Sequence, residues 1–530
     1  MPTVTVRHPI DRLDRLREPR SDLVVVEQLT DQSVVGGPDD TATFSAIDGP
    51  LRCWQRVVTV RDDEAIETVT YRIGLGVWSP LFALPVRHAV RHPPQHRGSR
   101  WWLPPDRLDR RAAVTLSSSC ALAVLGGFLA SQLTNTLTFA AEEFGAGVGA
   151  QARVLQVIRI GAVLTLAGTL LADRLGRRPL AISSLLVASI TAGLTALAPN
   201  MASLAALQLV CRSAAVIGVL LLPVITAEDL PAGSRAFAVG LLAMAGGLGT
   251  GGAIILLRLA DVAPPHSWRA VFAVGALAFP LVLLAGRYLP ETRRFALLQR
   301  GRGIDADADW DARERDRRRV AVWSRGRLAS MGLAVMALNA FVTPVSQLQN
   351  EFLRTARGFS GGRITLFLLL TNSLGGLGII VGGRLADRRG RHLVGTIGLV
   401  GIAVGNAAMF STRGWPMWLW STVGSGVGAL CIPALGVLNP ELFPTVRRGA
   451  ATGAVNVAGV LGGVVGLAVA GSLIEGADYG PTITLLAIGP LLVIGVLRLL
   501  PETARVPLEK LNPGDVAAPP PTDPTEAQPS

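Results

Sequence analysis

The stretch Leu171-Ala172-Asp173-Arg174-Leu175-Gly176-Arg177-Arg178 decides the fold, because a close copy of it stands 214 residues further along the chain. The copy reads Leu385-Ala386-Asp387-Arg388-Arg389-Gly390-Arg391-His392. Each copy follows a long apolar run and ends it with an aspartate, a glycine and several arginines. Self-similarity at a fixed separation is typical of a repeated architecture. We therefore expect two copies of one structural unit.

Two further signatures repeat at nearly the same separation. Glu228-x-x-Pro231-x-x-x-Arg235 returns 213 residues later as Glu441-x-x-Pro444-x-x-x-Arg448. Leu289-Pro290-Glu291-Thr292 returns 211 residues later as Leu500-Pro501-Glu502-Thr503. Three matched signatures, each at the end of an apolar run, indicate a duplicated body whose two halves have the same orientation.

The composition indicates a membrane protein. The chain has 530 residues, of which 50% are apolar and 17% charged, where about 25% charged is usual in soluble domains. The mean hydropathy is +0.43. This excludes a collagen-like, disulfide-rich or wholly disordered protein and argues against a soluble enzyme.

Twelve apolar runs are long enough to cross a bilayer, which needs about 20 residues per helix. An even number of spans places both termini on one side of the membrane. The predicted spans are 112–140, 149–172, 179–198, 201–226, 236–258, 269–288, 327–347, 362–383, 393–411, 416–438, 449–474 and 482–500.

Arginine placement predicts the orientation. The connections on the same side as the N-terminus are rich in arginine, including Arg177, Arg235 and the run Arg317-Arg318-Arg319. The opposite connections are short and hold acids such as Glu142 and Glu143. Because positive loops stay in the cytoplasm, both termini are expected to be cytoplasmic, with the chain in the inner cell membrane.

These patterns divide the chain into five parts. Residues 1–111 are a cytoplasmic accessory region, whose β-branched stretches around Asp62 and Asp63 predict a hairpin followed by an interfacial helix. The two six-helix halves are 112–288 and 327–504. The two remaining parts are polar: a charged cytoplasmic linker at 289–326 and a disordered, proline-rich cytoplasmic tail at 505–530.

The paired loops resemble those of the major facilitator superfamily, and LPETRR and LPETAR resemble its sugar-porter and metabolite–proton symporter branches. The resemblance covers roughly 112–505. It implies an all-α fold of twelve helices in two halves, and a cytoplasmic latch. The sequence departs from the pattern at Thr169, where the first loop usually opens with glycine, and in the seventh span, which lacks the glutamine-rich sugar signature.

The residues themselves support a latch. A carboxylate at Asp173 or Asp387 can cap the N-terminus of a neighbouring helix, and arginines can form bidentate pairs with Glu228 and Glu441. The alternative is that the arginines serve only as topology signals. The candidate latch residues are Asp173, Arg174, Gly176, Arg177, Arg178, Glu228, Arg235, Asp387, Arg388, Gly390, Arg391, Glu441 and Arg448.

Two arginines fall inside the predicted spans, where ionisable side chains are costly and usually functional. Arg159 and Arg212 lie about 21 and 24 Å from the loop-side acids of their helices, at 1.5 Å per residue. Two interior cations without a comparably deep acid favour an anionic substrate. The alternatives are that Arg159 lies nearer the surface and that Arg212 serves coupling.

Amide side chains within the spans are further candidates for substrate contact, although each alone is more often an interhelical hydrogen bond. They are Gln132, Asn135, Asn339, Gln347, Asn372 and Asn456. Proton coupling would need an acid near the membrane rim, and Glu142 and Glu143 are the weak candidates. A uniporter or an exchanger is the alternative.

Other classes of function lack support in the sequence. No Walker loop and no nucleophile–base constellation occurs, so neither ATP-driven transport nor an enzyme is expected. The four cysteines are far apart, so no metal site is predicted, and no cofactor is expected. The formal net charge of +12 does not indicate a nucleic-acid partner, because the arginines alternate with spans rather than forming one basic face.

The sequence therefore predicts a secondary active transporter of a small organic solute, with an organic anion favoured. It is expected to act as a monomer by alternating access. One alternative keeps the fold and exports lipophilic or cationic compounds. Another is a non-transporting membrane sensor that signals through residues 1–111.

Overall fold

A computed structural model gives the fold of the chain. The described residues are 2–22, 25–32, 41–61, 64–73, 79–91, 104–257, 259, 266–304, 310–474, 479–512 and 515. Twelve helices in these ranges are long and apolar enough to cross a membrane, which confirms the predicted number of spans.

The first half of the membrane body contains six spans. They are formed by α3 (Arg110–Glu143), α4 (Val148–Leu175), α5 (Arg177–Thr195), α6 (Met201–Asp229), α7 (Arg235–Leu256) and the consecutive pair α8 (Trp268–Ala276) and α9 (Ala278–Tyr288). The linker that follows contains α10 (Arg293–Ile304).

The second half repeats this arrangement. Its spans are formed by α11 (Trp310–Thr355), α12 (Gly361–Arg389), α13 (Arg391–Ser411), the pair α14 (Trp415–Gly426) and α15 (Cys431–Leu442), α16 (Arg448–Leu473), and the pair α17 (Tyr479–Leu486) and α18 (Ile488–Leu497). A short 3-10 turn at Gly428–Leu430 separates α14 from α15.

Glycines let equivalent helices approach closely in both halves, as is common between membrane helices. A Cβ at Gly249 of α7 would lie 1.9 Å from the carbonyl oxygen of Val124 in α3. A Cβ at Gly466 of α16 would lie 2.1 Å from the carbonyl oxygen of Ala340 in α11. The glycine-rich runs therefore pack backbone against backbone within each half.

The repeated loop signatures fold into the same corner twice. Gly176 and Gly390 adopt φ angles of 109° and 106°, a conformation open mainly to glycine, and each begins the next helix without a gap. Glu291 accepts from the backbone N–H of Arg178, and Glu502 accepts from that of Arg391 (3.4 and 2.9 Å). The glutamate of each Pro-Glu-Thr signature thus caps the helix that the glycine starts.

The N-terminal region is larger than the predicted hairpin and helix. It forms a five-stranded antiparallel sheet in the order β1-β5-β4-β3-β2, with β4 and β5 paired where the sequence predicts the hairpin. The strands are β1 (Thr3–Pro9), β2 (Val26–Gln32), β3 (Thr41–Asp48), β4 (Leu51–Arg61) and β5 (Glu64–Ile73), and the helices are α1 (Leu13–Arg17) and α2 (Ser79–Arg91).

A buried ion pair organises this sheet. Arg56 and Glu27 are almost fully buried and approach to 2.6 Å. Trp54 donates to Glu27 as well, and Arg56 donates to the carbonyl oxygens of Leu16 and Glu18. The pair therefore joins the segment around α1 to the sheet.

The prediction of a disordered tail from residue 505 is wrong for its first part. Leu508–Leu511 forms a short helix, α19, with both leucines buried. The pattern Leu508-x-x-Leu511 places both side chains on one face, which gives the segment enough apolar surface to dock. Residues 516–530 lie outside the described residues.

Candidate functional site

Two aspartates cap helices of the opposite half. Asp173, near the end of α4, accepts hydrogen bonds from the backbone N–H groups of Gly449 and Ala450 (3.0 and 2.9 Å). Asp387, near the end of α12, accepts from those of Ala236 and Phe237 (3.0 and 2.8 Å). A carboxylate at a helix N-terminus satisfies free N–H groups and stabilises the helix dipole. Each half thus holds a helix of the other.

Ion pairs between the halves surround the two caps. Glu228 of the first half contacts Arg448 of the second half, and also lies 3.6 Å from Arg177. Glu441 of the second half lies 3.6 Å from Arg235 of the first half.

Arginines within each half complete the network. Arg391 forms a bidentate pair with Glu441 (3.2 and 3.5 Å) and contacts Asp387 at 2.6 Å. Arg177 lies 3.4 Å from Asp173 in the equivalent arrangement. The structure therefore brings together eight of the predicted latch residues.

Burial makes this network energetically important. The side chains of Arg391, Arg448, Asp387 and Glu441 are fully buried. Removing one partner of a buried ion pair typically costs about 3–5 kcal/mol, because the other charge stays buried and unpaired. The side of the body that carries the network is therefore closed to water, and the halves cannot separate there without breaking these contacts.

Not every predicted latch residue joins the network. Arg174 and Arg388 are exposed and form no ion pair with any residue in the described ranges. The Arg178 side chain donates a hydrogen bond to the carbonyl oxygen of Gly286 (3.4 Å), within its own half. For Arg174 and Arg388 the topology-signal interpretation fits the geometry better.

The departure at Thr169 is accommodated by glycines of the opposite half. A Cβ at Gly453 would lie 1.9 Å from Thr169 Oγ1, and one at Gly449 would lie 2.5 Å from the Thr169 carbonyl oxygen. In the other half Gly383 takes the place of Thr169 and packs against Ala236 and Phe237. The close contact is thus preserved, with the small residue moved to the other helix.

The start of the tail contributes residues that the sequence did not reveal. Asp515 lies 3.3 Å from Arg448 and accepts from the Thr445 backbone N–H at 3.1 Å. Glu509 contacts Arg294, which follows the first half. Glu509 lies within the Leu508-x-x-Leu511 pattern and Asp515 follows it, and no local pattern connects either acid with its distant arginine. The segment bridges both halves over the network.

Asn512 strengthens the same docking. Its amide donates to the Glu441 carbonyl oxygen at 2.9 Å, and its Oδ1 accepts from Arg327 at 3.3 Å. Arg327 also donates to the carbonyl oxygen of Leu442 (2.9 Å). The start of the seventh span, the end of α15 and the tail are therefore joined by buried hydrogen bonds.

The two intramembrane arginines, Arg159 of α4 and Arg212 of α6, are like charges on helices that pack against each other. Close packing of their helices brings them together: a Cβ at Gly161 would lie 2.3 Å from Ser213 Oγ. Arg212 is half-buried and donates to Thr134 Oγ1 at 3.4 Å, whereas Arg159 is exposed.

The predicted amides divide into structural and exposed groups. Gln132 is buried and donates to the Val271 carbonyl oxygen (3.0 Å), and Asn339 donates to that of Val335 (2.9 Å). Gln347 and Asn372 are exposed and Asn456 is half-buried. The side chain of Asn135 lies outside the described residues. The first two have a packing role, and the last three remain candidates for substrate contact.

An apolar cavity of about 250 Å³ lies between the halves, next to the ion-pair network. Its lining is mainly apolar, with contributions from α6, α7, α11, α15, α16 and α18. Asn439 also lines it, and its buried Oδ1 has no hydrogen-bond partner in the described part of the chain. This asparagine was missed by the sequence analysis because it stands in an otherwise apolar run.

Comparison with known proteins identifies the family. The family model "Major Facilitator Superfamily" matches residues 348–523, and the model "Sugar (and other) transporter" matches residues 122–318. Together they cover parts of both halves. The chain belongs to the major facilitator superfamily. It is a membrane transporter of this superfamily, as the loop signatures implied.

Solved structures of the superfamily share the fold. The proton:xylose symporter XylE is 18% identical, with a TM-score of 0.64 over 76% of this chain and 98% of that one. The human organic anion transporter MFSD10 is 16% identical, with a TM-score of 0.55 over 73% of this chain and 99% of that one.

A curated relative matches a shorter stretch. The "Probable actinorhodin transporter" of Streptomyces coelicolor is 35% identical over 132 residues. That match spans 23% of this chain and 22% of the relative.

Glu143, a weak candidate for proton coupling in this superfamily transporter, is tied to the start of the sixth span. It lies 2.8 Å from Arg269 and 3.0 Å from His266, and accepts from the Trp268 indole at 2.5 Å. Burial alone would raise the pKa of Glu143, but hydrogen bonds from these three residues and the charge of Arg269 hold that pKa below its ordinary value. The carboxylate is therefore ionised at neutral pH.

We predict that Arg448→Gln opens the network side. Val455 lines the apolar cavity and is itself buried, so a cysteine placed there, with the native cysteines replaced by alanine, is shielded. Arg448→Gln should raise the reaction rate of this cysteine with a hydrophilic maleimide at least about tenfold. Breaking a buried ion pair costs about 3–5 kcal/mol, which is more than the roughly 1.4 kcal/mol that shifts an equilibrium tenfold. Arg447→Gln, an exposed neighbour, is the control. Equal rates in both variants would contradict the latch.

We predict that Glu143→Gln lowers the melting temperature at neutral pH and leaves the pH dependence of transport unchanged. Because the pKa of Glu143 is lowered on folding, its stabilisation is present above its unfolded value of about 4.5 and is lost as the pH falls through the folded value. The difference from wild type should therefore shrink in acid. Exposed Glu142→Gln is the control. A flattened transport profile in Glu143→Gln would instead show proton coupling.

Proposed function

We propose that the protein moves a small organic anion across the membrane by alternating access. The observation that carries the substrate class is the pair Arg159 and Arg212, two like charges on the closely packed helices α4 and α6. Neither arginine pairs with an acid in the ranges that the structure describes. An anion bound between them would remove the repulsion and supply the missing counter-charge.

The latch contacts support alternating access. Equivalent carboxylates from each half cap helices of the other, so both sets break together when the halves rotate apart on that side. Such contacts bias an equilibrium between two states without abolishing either. The described geometry corresponds to the state closed at the network, with the arginines reached from the opposite side. The arginine-rich loops support cytoplasmic termini, which makes this the outward-facing state.

The apolar cavity between the halves favours a second candidate, an exporter of lipophilic compounds. Its lining between the halves is mainly apolar, with Asn439 and Thr452 among its few polar contributions. A solute crossing that region would lose its hydration unless the cavity fills with water as the latch opens. The two candidates therefore differ in the charge of the solute.

We predict that Arg212→Gln sharply lowers uptake of the preferred anion by reconstituted protein. Loss of one charge-assisted hydrogen bond is worth about 1.5–3 kcal/mol, so uptake at low substrate should fall by about tenfold to a hundredfold. Arg212→Lys should keep part of the activity. Exposed Arg153→Gln, on the same helix as Arg159, should behave as wild type.

The substrate panel separates the candidates. It contains labelled carboxylates, phosphate esters, sugars and lipophilic cations. Uptake of carboxylates or phosphate esters that depends on Arg212 supports the anion carrier. Movement of neutral or cationic compounds that is insensitive to Arg212→Gln would reject it and favour the exporter.

A further inference from the structure

A second cavity lies outside the membrane body, between the N-terminal sheet and the ends of two spans. Its volume is about 950 Å³, within the range of ligand sites. One wall is the face of the sheet that carries Thr43, Ser45 and Gln55. The opposite wall includes Arg110 at the start of α3 and Tyr288 at the end of α9.

This cavity lies at the level of the membrane boundary. Arg110 and Tyr288 are terminal residues of two candidate spans that end on the same side. The headgroup layer of a bilayer is about 5–8 Å thick on each side of its hydrocarbon core. Val114 also lines the cavity, and it lies one turn, about 6 Å, further along the membrane helix. The cavity thus continues from the headgroup layer into the hydrocarbon.

The charges lining the cavity are unbalanced. Its two acids are already paired: Asp48 with Arg107 at 2.9 Å, and Asp109 with Arg293 at 3.5 Å. Its exposed cations Arg52 and Arg110 form no ion pair or hydrogen bond with residues in the described part of the chain. The unpaired charge in the cavity is therefore positive.

The polar wall suits an oxygen-rich group. Thr30 and Ser45 are joined by a hydroxyl hydrogen bond of 2.8 Å on this face of the sheet, and Gln55 pairs with Ser45 across the strands. Hydroxyl and amide donors together with two guanidinium groups are the donors that phosphate oxygens accept.

We propose that this cavity binds the phosphate headgroup of an anionic phospholipid from the adjoining leaflet, with its acyl chains along α3. The arginines Arg52 and Arg110 hold the phosphate from the sheet and membrane sides respectively. Bound lipid therefore fastens the N-terminal sheet to the membrane body. This site is separate from the proposed transport path, so it does not depend on the identity of the transported solute.

Cys53 provides an internal probe. It lines the cavity and is exposed, whereas Cys211 and Cys431 are buried and Cys120 is half-buried within a span. The full chain in phosphatidylcholine nanodiscs should react readily at Cys53 with an uncharged maleimide. Adding phosphatidylglycerol should slow that reaction at least about fivefold, given the attraction of two juxtamembrane arginines.

Matched variants test the assignment. Arg52→Gln with Arg110→Gln should abolish the protection, and Arg15→Gln with Arg61→Gln, which removes two exposed charges outside the cavity, should retain it. Ser45→Trp fills the cavity without changing charge and should also abolish the difference between the two lipids. Circular dichroism checks that each variant keeps its sheet.

Three outcomes would overturn the proposal. They are no protection by phosphatidylglycerol, protection that survives in Arg52→Gln with Arg110→Gln, and protection lost equally in Arg15→Gln with Arg61→Gln. Glycerol phosphate added to phosphatidylcholine nanodiscs distinguishes the source of the phosphate. Protection by this soluble ester at the same concentration of phosphate would replace the lipid with a free phosphate ligand.

Discussion

The structure depends on an exchange of helix caps between its two halves. Asp173 of the first half holds the N-terminus of α16, and Asp387 of the second half holds that of α7. Each cap is possible only because a glycine corner ends the capping helix abruptly and leaves its last acid facing the other half. The buried pairs of Glu228 and Glu441 then neutralise the arginines that the exchange brings together.

The same constraint explains why the contacts can serve as a latch. A buried charge network that is only partly formed leaves unpaired charges, which raise the free energy. Intermediate separations of the halves are therefore disfavoured. The tail adds Asp515 to Arg448 of the second half, and the Val506 carbonyl oxygen accepts from Arg235 of the first half. The tail therefore contacts both halves where they meet. Arg159 and Arg212 lie further from the network along α4 and α6, where an anion between these like charges would supply a counter-charge.

Much of this architecture could be predicted from the sequence. The length of the apolar runs predicted the twelve spans. The repeated signatures predicted the glycine turns between helices and the aspartates that cap helices of the opposite half. The contact of Gly453 with Thr169 was not predictable, because it joins residues of different halves that no local pattern connects. The docking of Asp515 was missed for the same reason. Strand β1 was not predicted, because its pairing partners in β5 lie more than sixty residues along the chain, as Thr70 does from Thr3.

The most direct test uses electron–electron double resonance to measure the distance between the halves on each side of the membrane. Spin labels replace exposed Arg174 and Arg388 on the network side, and exposed Arg153 and Arg363 on the other. Glu228→Gln combined with Arg448→Gln removes the cross-half attraction between these two side chains as a balanced pair. The account predicts a longer network-side distance and a shorter opposite distance in that variant. Unchanged distances on both sides, in protein that remains folded, would contradict it.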